Sequence, residues 1–313
     1  MRVCEELRAA LAGLGLSQNG VHTIYAAGSV GRLEICEDSD VDGVVVLSGP
    51  LSEFQSRDLM RAIESCYAEA GLVVAKSGGI YRQPITKAQL LNIDTRGSLT
   101  ESPGIYGKRI QILLDARPLF GEQSFQGLQQ EVLKWFMPKL GRTVPVENFL
   151  LTELKRYYAA YSLWQNFKFT KSAEDGWLLR QAKLKITRTS TITGLILLLG
   201  ARSDSARDFD LMQHLFLTPL ERILNVFSRY AETRYCEQYL AAYESAVRLL
   251  GNQQVRRRLI EFSPESHADI DDKVPEEFIE LCDLAAQLGD ITAAFILDRK
   301  SDWSREFYRQ CLI

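Results

Sequence analysis

Residues 26–46 read AAGSVGRLEICEDSDVDGVVV, and the reading of this stretch decides how the first part of the chain folds. A Gly-Ser pair, Gly28-Ser29, closes the apolar run HTIYAAG at 22–28. An acidic knot, Asp38-Ser39-Asp40-Val41-Asp42, then leads into a second apolar run, VDGVVVL at 41–47. Both runs are rich in β-branched residues and bounded by turn formers, so they predict two strands. Side chains alternate along a strand, so Asp40 and Asp42 share one face while Val41 points into the core. Two carboxylates that close together repel each other, and burying them is costly unless something neutralises them. A divalent cation removes that cost. Hard oxygen ligands suit Mg²⁺ or Mn²⁺, which keep several waters and bind phosphates too.

The Gly-Ser pair fits the same chemistry. Where a strand gives way to a turn or helix, backbone N–H groups stand open to phosphate oxygens, and glycine lets a ligand approach closely. A phosphate cradle one hairpin away from an acidic pair predicts a site for a nucleoside triphosphate, with two ions clamping the reacting oxygens. Either piece alone reads more plainly as a solvated turn. The ordered combination of strand, Gly-Ser, Asp-x-Asp and second strand is what carries the functional reading.

Working outward, residues 3–13 predict a helix, and 52–71 a second one with a Ser start and a Gly stop. LVVAKSGGIY at 72–81 and KRIQILLDARPLF at 108–120 predict two further strands, with Gly97–Gly107 as a loop. From Ser124 onward strand signals cease and amphipathic helices follow one another, interrupted by a loop at 261–277. The expected fold class is α+β: a small mixed sheet with flanking helices over 1–143, then an all-α helical bundle over 144–313. The boundary falls in GRTVPVEN at 141–148, where Gly, Pro and polar residues coincide.

Composition narrows the function classes. A formal net charge of −3 gives no global attraction to nucleic acid or anionic membranes, so any basic function is local. The six cysteines are scattered without Cys-x-x-Cys spacing, which argues against a zinc site or a disulfide framework and suits a reducing cytoplasm. The N-terminal MRVCEELRAALAGLGL contains two glutamates and no signal-peptide core, and the apolar run at 194–201 is too short to cross a bilayer, so no membrane association is expected. The one electrostatic asymmetry lies in 155–188, where eight Lys and Arg face only Glu174 and Asp175. On an α-helical wheel over 176–194, Leu178, Ala182 and Ile186 share an apolar side, whereas Trp177, Arg180, Lys183, Thr187 and Arg188 share the other, with Lys185 at the border. A solvated basic face is the plain reading. The functional one has Arg180 and Lys183 gripping a triphosphate across a cleft from the acidic pair.

Gly28-Ser29, Gly31-Arg32 and Asp38-Ser39-Asp40-Val41-Asp42 together resemble the signature of the DNA polymerase β-type nucleotidyltransferase superfamily. The local wording is similar to the catalytic domain of the bacterial nitrogen-regulatory uridylyltransferase, and to nucleotidyltransferase domains found beside cyclic-nucleotide-binding and CBS modules. AGLVVAKSGGIY (70–81) resembles a Gly-Gly element of those domains, and RIQILLDARPLFGEQSF (109–125) resembles their later strand with its acid-x-Arg-Pro-Leu-x-Gly pattern. The resemblance implies transfer of an NMP group from an NTP, such as ATP, to an acceptor hydroxyl. It implies Asp40, Asp42 and a third carboxylate at Asp115 as catalytic metal ligands, with Gly28, Ser29 and Arg32 at the phosphates. Asp94 is the competitor for the third carboxylate. Arg117 reads as a structural partner to a carboxylate rather than a phosphate ligand, and Arg32 as ordering the loop or touching phosphate. A protein side chain is the favoured acceptor by analogy; an RNA end, a small molecule or a nucleotide are the others. The alternative is a catalytically silent nucleotide-sensing or partner-binding module on the same fold.

Overall fold

The strand that ends at the Gly-Ser pair, β1 (Val21–Ala27), lies inside a small mixed sheet. A computed structural model describes residues 2–36, 39–74, 83–98, 100–136, 146–171, 176–262 and 274–312. β1 pairs antiparallel with β2 (Asp40–Leu47) on one edge and with β5 (Arg117–Phe120) on the other. The outer edge of β2 is shared by two short parallel strands. β3 (Val73–Val74) pairs with its start and β4 (Ile85–Thr86) with its end, so five strands fill four positions. The molecule is thus α+β, with one small mixed sheet and many helices. It divides into two compact units, Met1–Val146 and Glu147–Ile313. The expected boundary at 143/144 and the Gly-Gly element at 78–79 lie outside the described residues.

Alternation along the strands decides what each face of the sheet carries. Ile24 and Ala26 of β1 and Val41, Val45 and Leu47 of β2 face one side. There they meet Leu7 and Leu11 of α1 (Arg2–Ala12), and Ile63 and Tyr67 of α3 (Glu53–Glu69), in one core. Each such buried aliphatic side chain contributes roughly 1.5–3 kcal/mol. α3 starts where its sequence says it should: Ser52 and Gln55 form a reciprocal capping box. Tyr25 points to the opposite side, where its ring packs 5.6 Å from that of Phe125 in α6 (Glu122–Trp135). By the same alternation Asp40, Asp42, Val44 and Val46 belong to Tyr25's side of the sheet.

One expectation fails in this unit. The segment read as loop and then strand forms a helix, α5 (Pro103–Leu114), preceded by the short α4 (Lys87–Leu90). Every residue from Gly107 to Leu114 is buried, so no helical period shows in the sequence, and an apolar run of this kind cannot be told from a strand by periodicity. The overlooked signal is Ser102-Pro103, with proline in the first turn. Asp115 therefore caps a helix rather than closing a strand. α5 is tied down by polar groups. Arg109, fully buried, donates to both carboxylate oxygens of Glu101 at 2.6 and 3.0 Å and to the Leu90 carbonyl at 2.6 Å, and its guanidinium lies 3.9 Å from the centre of the Trp135 ring.

In the second unit every regular element among the described residues is a helix. α7 (Val146–Lys171) is followed by α8 (Trp177–Lys183), a π-helical turn over Leu184–Arg188, and α9 (Thr189–Arg202). Then come α10 (Leu211–His214), α11 (Pro219–Arg229), α12 (Thr233–Gly251), α13 (Gln253–Glu261), α14 (Glu276–Asp298) and α15 (Arg305–Leu312). Its core includes Phe227, Tyr230, Phe295 and Trp303, with Phe227 and Phe295 rings 4.4 Å apart. A Cβ at Gly200 of α9 would collide with the Trp303 ring, so glycine lets that indole lie against the helix. Among the described residues no helix is long and apolar enough to cross a membrane.

Candidate functional site

β1 runs out at Ala27, and the chain turns at once into the five-residue helix α2 (Gly28–Arg32). Gly28 has φ +66, which L side chains rarely adopt, and a Cβ on it would stand 2.7 Å from Oδ2 of Asp42. Gly31 is required for a different reason, because a Cβ there would collide with the Asp115 carbonyl. Both glycines of Gly-Ser-Val-Gly are thus explained by close approach to a carboxylate-bearing residue. α2 ends on Leu33, which is left-handed at φ 62 although it is not glycine.

Four hydrogen bonds hold this short helix. The Gly28 N–H donates to Oδ2 of Asp115 at 3.2 Å. Arg32 donates through Nη1 to the same oxygen at 2.7 Å and through Nε to Glu34 at 2.7 Å. Arg117 donates to the Gly31 carbonyl at 3.3 Å. The Asp115 side chain is fully buried and that of Arg32 nearly so, which makes this a shielded ion pair and not a surface contact. The sequence reading left Arg32 between ordering the loop and touching phosphate; here it orders the loop, and Arg117 does the same from β5.

Asp42 stands opposite Ala27 in the β1–β2 ladder, which brings its carboxylate beside Gly28. Asp40 opens β2, pairs with Val73 in register and is exposed. The turn before it is closed by Ser39, whose hydroxyl accepts the Cys36 N–H at 2.9 Å; Asp38 lies outside the described residues. Gly28, Arg32, Asp42 and Asp115 therefore come together, with Asp40 two residues along the strand face from Asp42. Asp94 does not join them by any contact seen here: it is exposed in a short turn, its N–H bonded to Asn92. Half-buried Ser29 follows Gly28, its carbonyl accepting the Glu34 N–H at 2.8 Å.

No group of three or more His, Cys, Asp or Glu suited to a metal is found among the described residues. Asp115 is engaged by Arg32 and by a backbone N–H. Asp40 and Asp42 nevertheless fit Mg²⁺ or Mn²⁺, since such ions bind through one or two carboxylates and leave their other positions to water and phosphate.

Arg180 and Lys183 belong to the second unit. Lys183 and Lys185 are exposed, and Arg180 and Arg188 half-buried, with the Arg188 guanidinium 4.9 Å from the Tyr161 ring centre. Leu178, Ala182 and Ile186 are buried as expected. Thr187, placed on the polar face by the wheel, is buried and donates to the Lys183 carbonyl at 3.0 Å. The cause is the π turn at Leu184–Arg188, which widens the helix and breaks the 100° step the wheel assumes. Sequence reasoning also missed Lys108, buried in α5, whose ammonium donates to the Gln83 carbonyl at 2.7 Å; a charged residue in an apolar run was its only signal. No protein-family model and no curated protein matches the chain.

Proposed function

We propose that the first unit is a metal-dependent nucleotidyltransferase, which moves an NMP group from an NTP to an acceptor hydroxyl and releases pyrophosphate. The observation that most supports this reading is the convergence of Asp42 and Asp115 on Gly28, in a loop pinned by Arg32. Asp40 and Asp42 would hold the cations. When bound, these supply charge neutralisation at the phosphates and Lewis acidity at the reacting phosphorus. The chain's own residues do the positioning. Gly28 leaves room beside Asp42, and the Ser29 hydroxyl offers a donor to a phosphate oxygen. Arg32 and Arg117 keep the α2 backbone rigid, so that these groups are preorganised. For Asp115 to serve as third ligand, or to take the proton of the acceptor hydroxyl, it must first exchange its bond to Arg32. A protein side chain is the preferred acceptor.

Each of the four NTPs, α-labelled, is incubated with the protein, Mg²⁺ or Mn²⁺, and cell extract. Pyrophosphate release with label entering a protein, an RNA or a small product is expected, and Asp42→Ala lowers it by about a hundredfold or more. Undiminished turnover by a folded Asp42→Ala protein overturns the assignment. The engagement of Asp115 by Arg32 favours a second reading, a nucleotide sensor on the same fold. Saturable NTP binding without label transfer selects it.

A further inference from the structure

We propose that the helical unit carries a second, separate binding site, for a small monocarboxylate with a short apolar body. An open pocket of about 200 Å³ lies between the start of α9 and the middle of α14, with Lys185, Gly289 and Ala293 exposed around it. Its walls divide by chemistry. Leu288 and Ile296 of α14 are apolar, while Lys185, Ser190 and Thr193 sit on the π turn and on α9. No carboxylate lines it, so nothing in the walls neutralises Lys185, which is exposed at the rim.

Hydrogen bonding decides what the cavity offers. The Thr292 hydroxyl donates to the Leu288 carbonyl at 2.8 Å and so brings no free proton. Ser190 accepts from Tyr239 at 2.9 Å, which leaves its own O–H to donate, and the Thr193 hydroxyl lines the space as well. One ammonium and two hydroxyl donors match one carboxylate; a phosphate dianion would need more. The π turn supports the reading. In it the Thr189 N–H reaches the Leu184 carbonyl five residues back, and Lys185, Thr189 and Thr193, at successive steps of four, all line the pocket. Turns of this kind cluster at functional sites.

Gly289 also lines the pocket. It is exposed inside α14, and a Cβ there would meet nothing within 4 Å, so a larger side chain can be placed at this position without a backbone clash.

The full chain is titrated by calorimetry with straight-chain monocarboxylates from acetate to hexanoate, with the alcohols of the same lengths and with inorganic phosphate. Saturable binding of a carboxylate is expected, stronger than that of its alcohol and of phosphate. Gly289→Leu sets a bulky side chain at the pocket mouth and Lys185→Gln removes the cation; each weakens binding about tenfold or more, with the melting temperature not lowered. No saturable binding by any carboxylate overturns the proposal, as does binding unchanged in both variants, or phosphate binding better than every carboxylate.

Discussion

Arg32 is the residue on which the candidate site turns, because it is the side chain that answers Asp115. Removing it takes this ion pair from a fully buried carboxylate, and breaking a buried pair from one side costs about 3–5 kcal/mol. Arg32→Ala is therefore expected to lower the urea midpoint strongly. Arg32→Lys should recover little, since a single ammonium cannot reach both Asp115 and Glu34 as the fork does. Equal stability of the alanine protein and the wild type would show that the pair stabilises nothing. A second residue sets a pH dependence. Burial holds the Lys108 ammonium down to about 8, from its ordinary 10.5. Below pH 8 both folded and unfolded chains carry that proton. Between the two values the unfolded chain keeps a proton that the folded one has lost, so stability rises with pH in that window. Tyr230 and Tyr308, pushed up to about 12 by burial, act in the opposite sense above pH 10. The thiols of Cys66, Cys282 and Cys311, raised by burial, oppose Lys108 from about pH 9, so its share is read as a difference: the urea midpoint of the wild type relative to that of Lys108→Met should rise from about pH 8 to about pH 9.5.

At the scale of elements, two helix glycines make opposite predictions for one substitution. Gly200→Ala drives a methyl into Trp303 and should cost about 1–3 kcal/mol. Gly289→Ala enters open space in mid-helix and should add about 0.5–1 kcal/mol. Denaturation of both proteins under one condition checks the sign of each. The elements also mark where the sequence was readable. β1, β2 and α3 were legible because β-branched runs, alternation and a Ser52-Gln55 cap all act locally. α5 was not, because a helix buried all round has no polar face to set its period, and Ser102-Pro103 was the only mark of its start. Thr187 fell on the wrong face because a wheel has no place for a π turn. The candidate site divides in the same way. Gly28, Arg32 and Asp42 stand within fifteen residues of one another and were visible as a motif. The bond between Arg32 and Asp115 spans 83 residues, and it forms because the turn between α5 and β5 docks against α2.

At the scale of the whole molecule, the two units hold the two proposed sites separately, and binding linkage can tell them apart. A ligand that binds only the folded state stabilises it by RT ln(1 + [L]/Kd), about 2.7 kcal/mol at a hundredfold excess over Kd. The tryptophans are well distributed for this measurement. Trp135 belongs to the first unit, whereas Trp164, Trp177 and Trp303 belong to the second. Trp135 is buried against the Arg109 guanidinium, so its emission reports the packing of α5 on α6, next to the turn that carries Asp115. A Trp135→Phe protein leaves emission from the second unit alone, and the difference from wild type isolates the first. Mg²⁺ with a non-hydrolysable ATP analogue should raise the transition that Trp135 reports, and Asp42→Ala should abolish that rise. A monocarboxylate should raise the transition seen in the Trp135→Phe protein and lose its effect in Gly289→Leu. If the nucleotide moves only the Trp135→Phe signal, the nucleotide site is not on β1 and β2 and the transferase assignment fails. Because the carboxylate arm is read through different residues, its failure leaves that assignment standing.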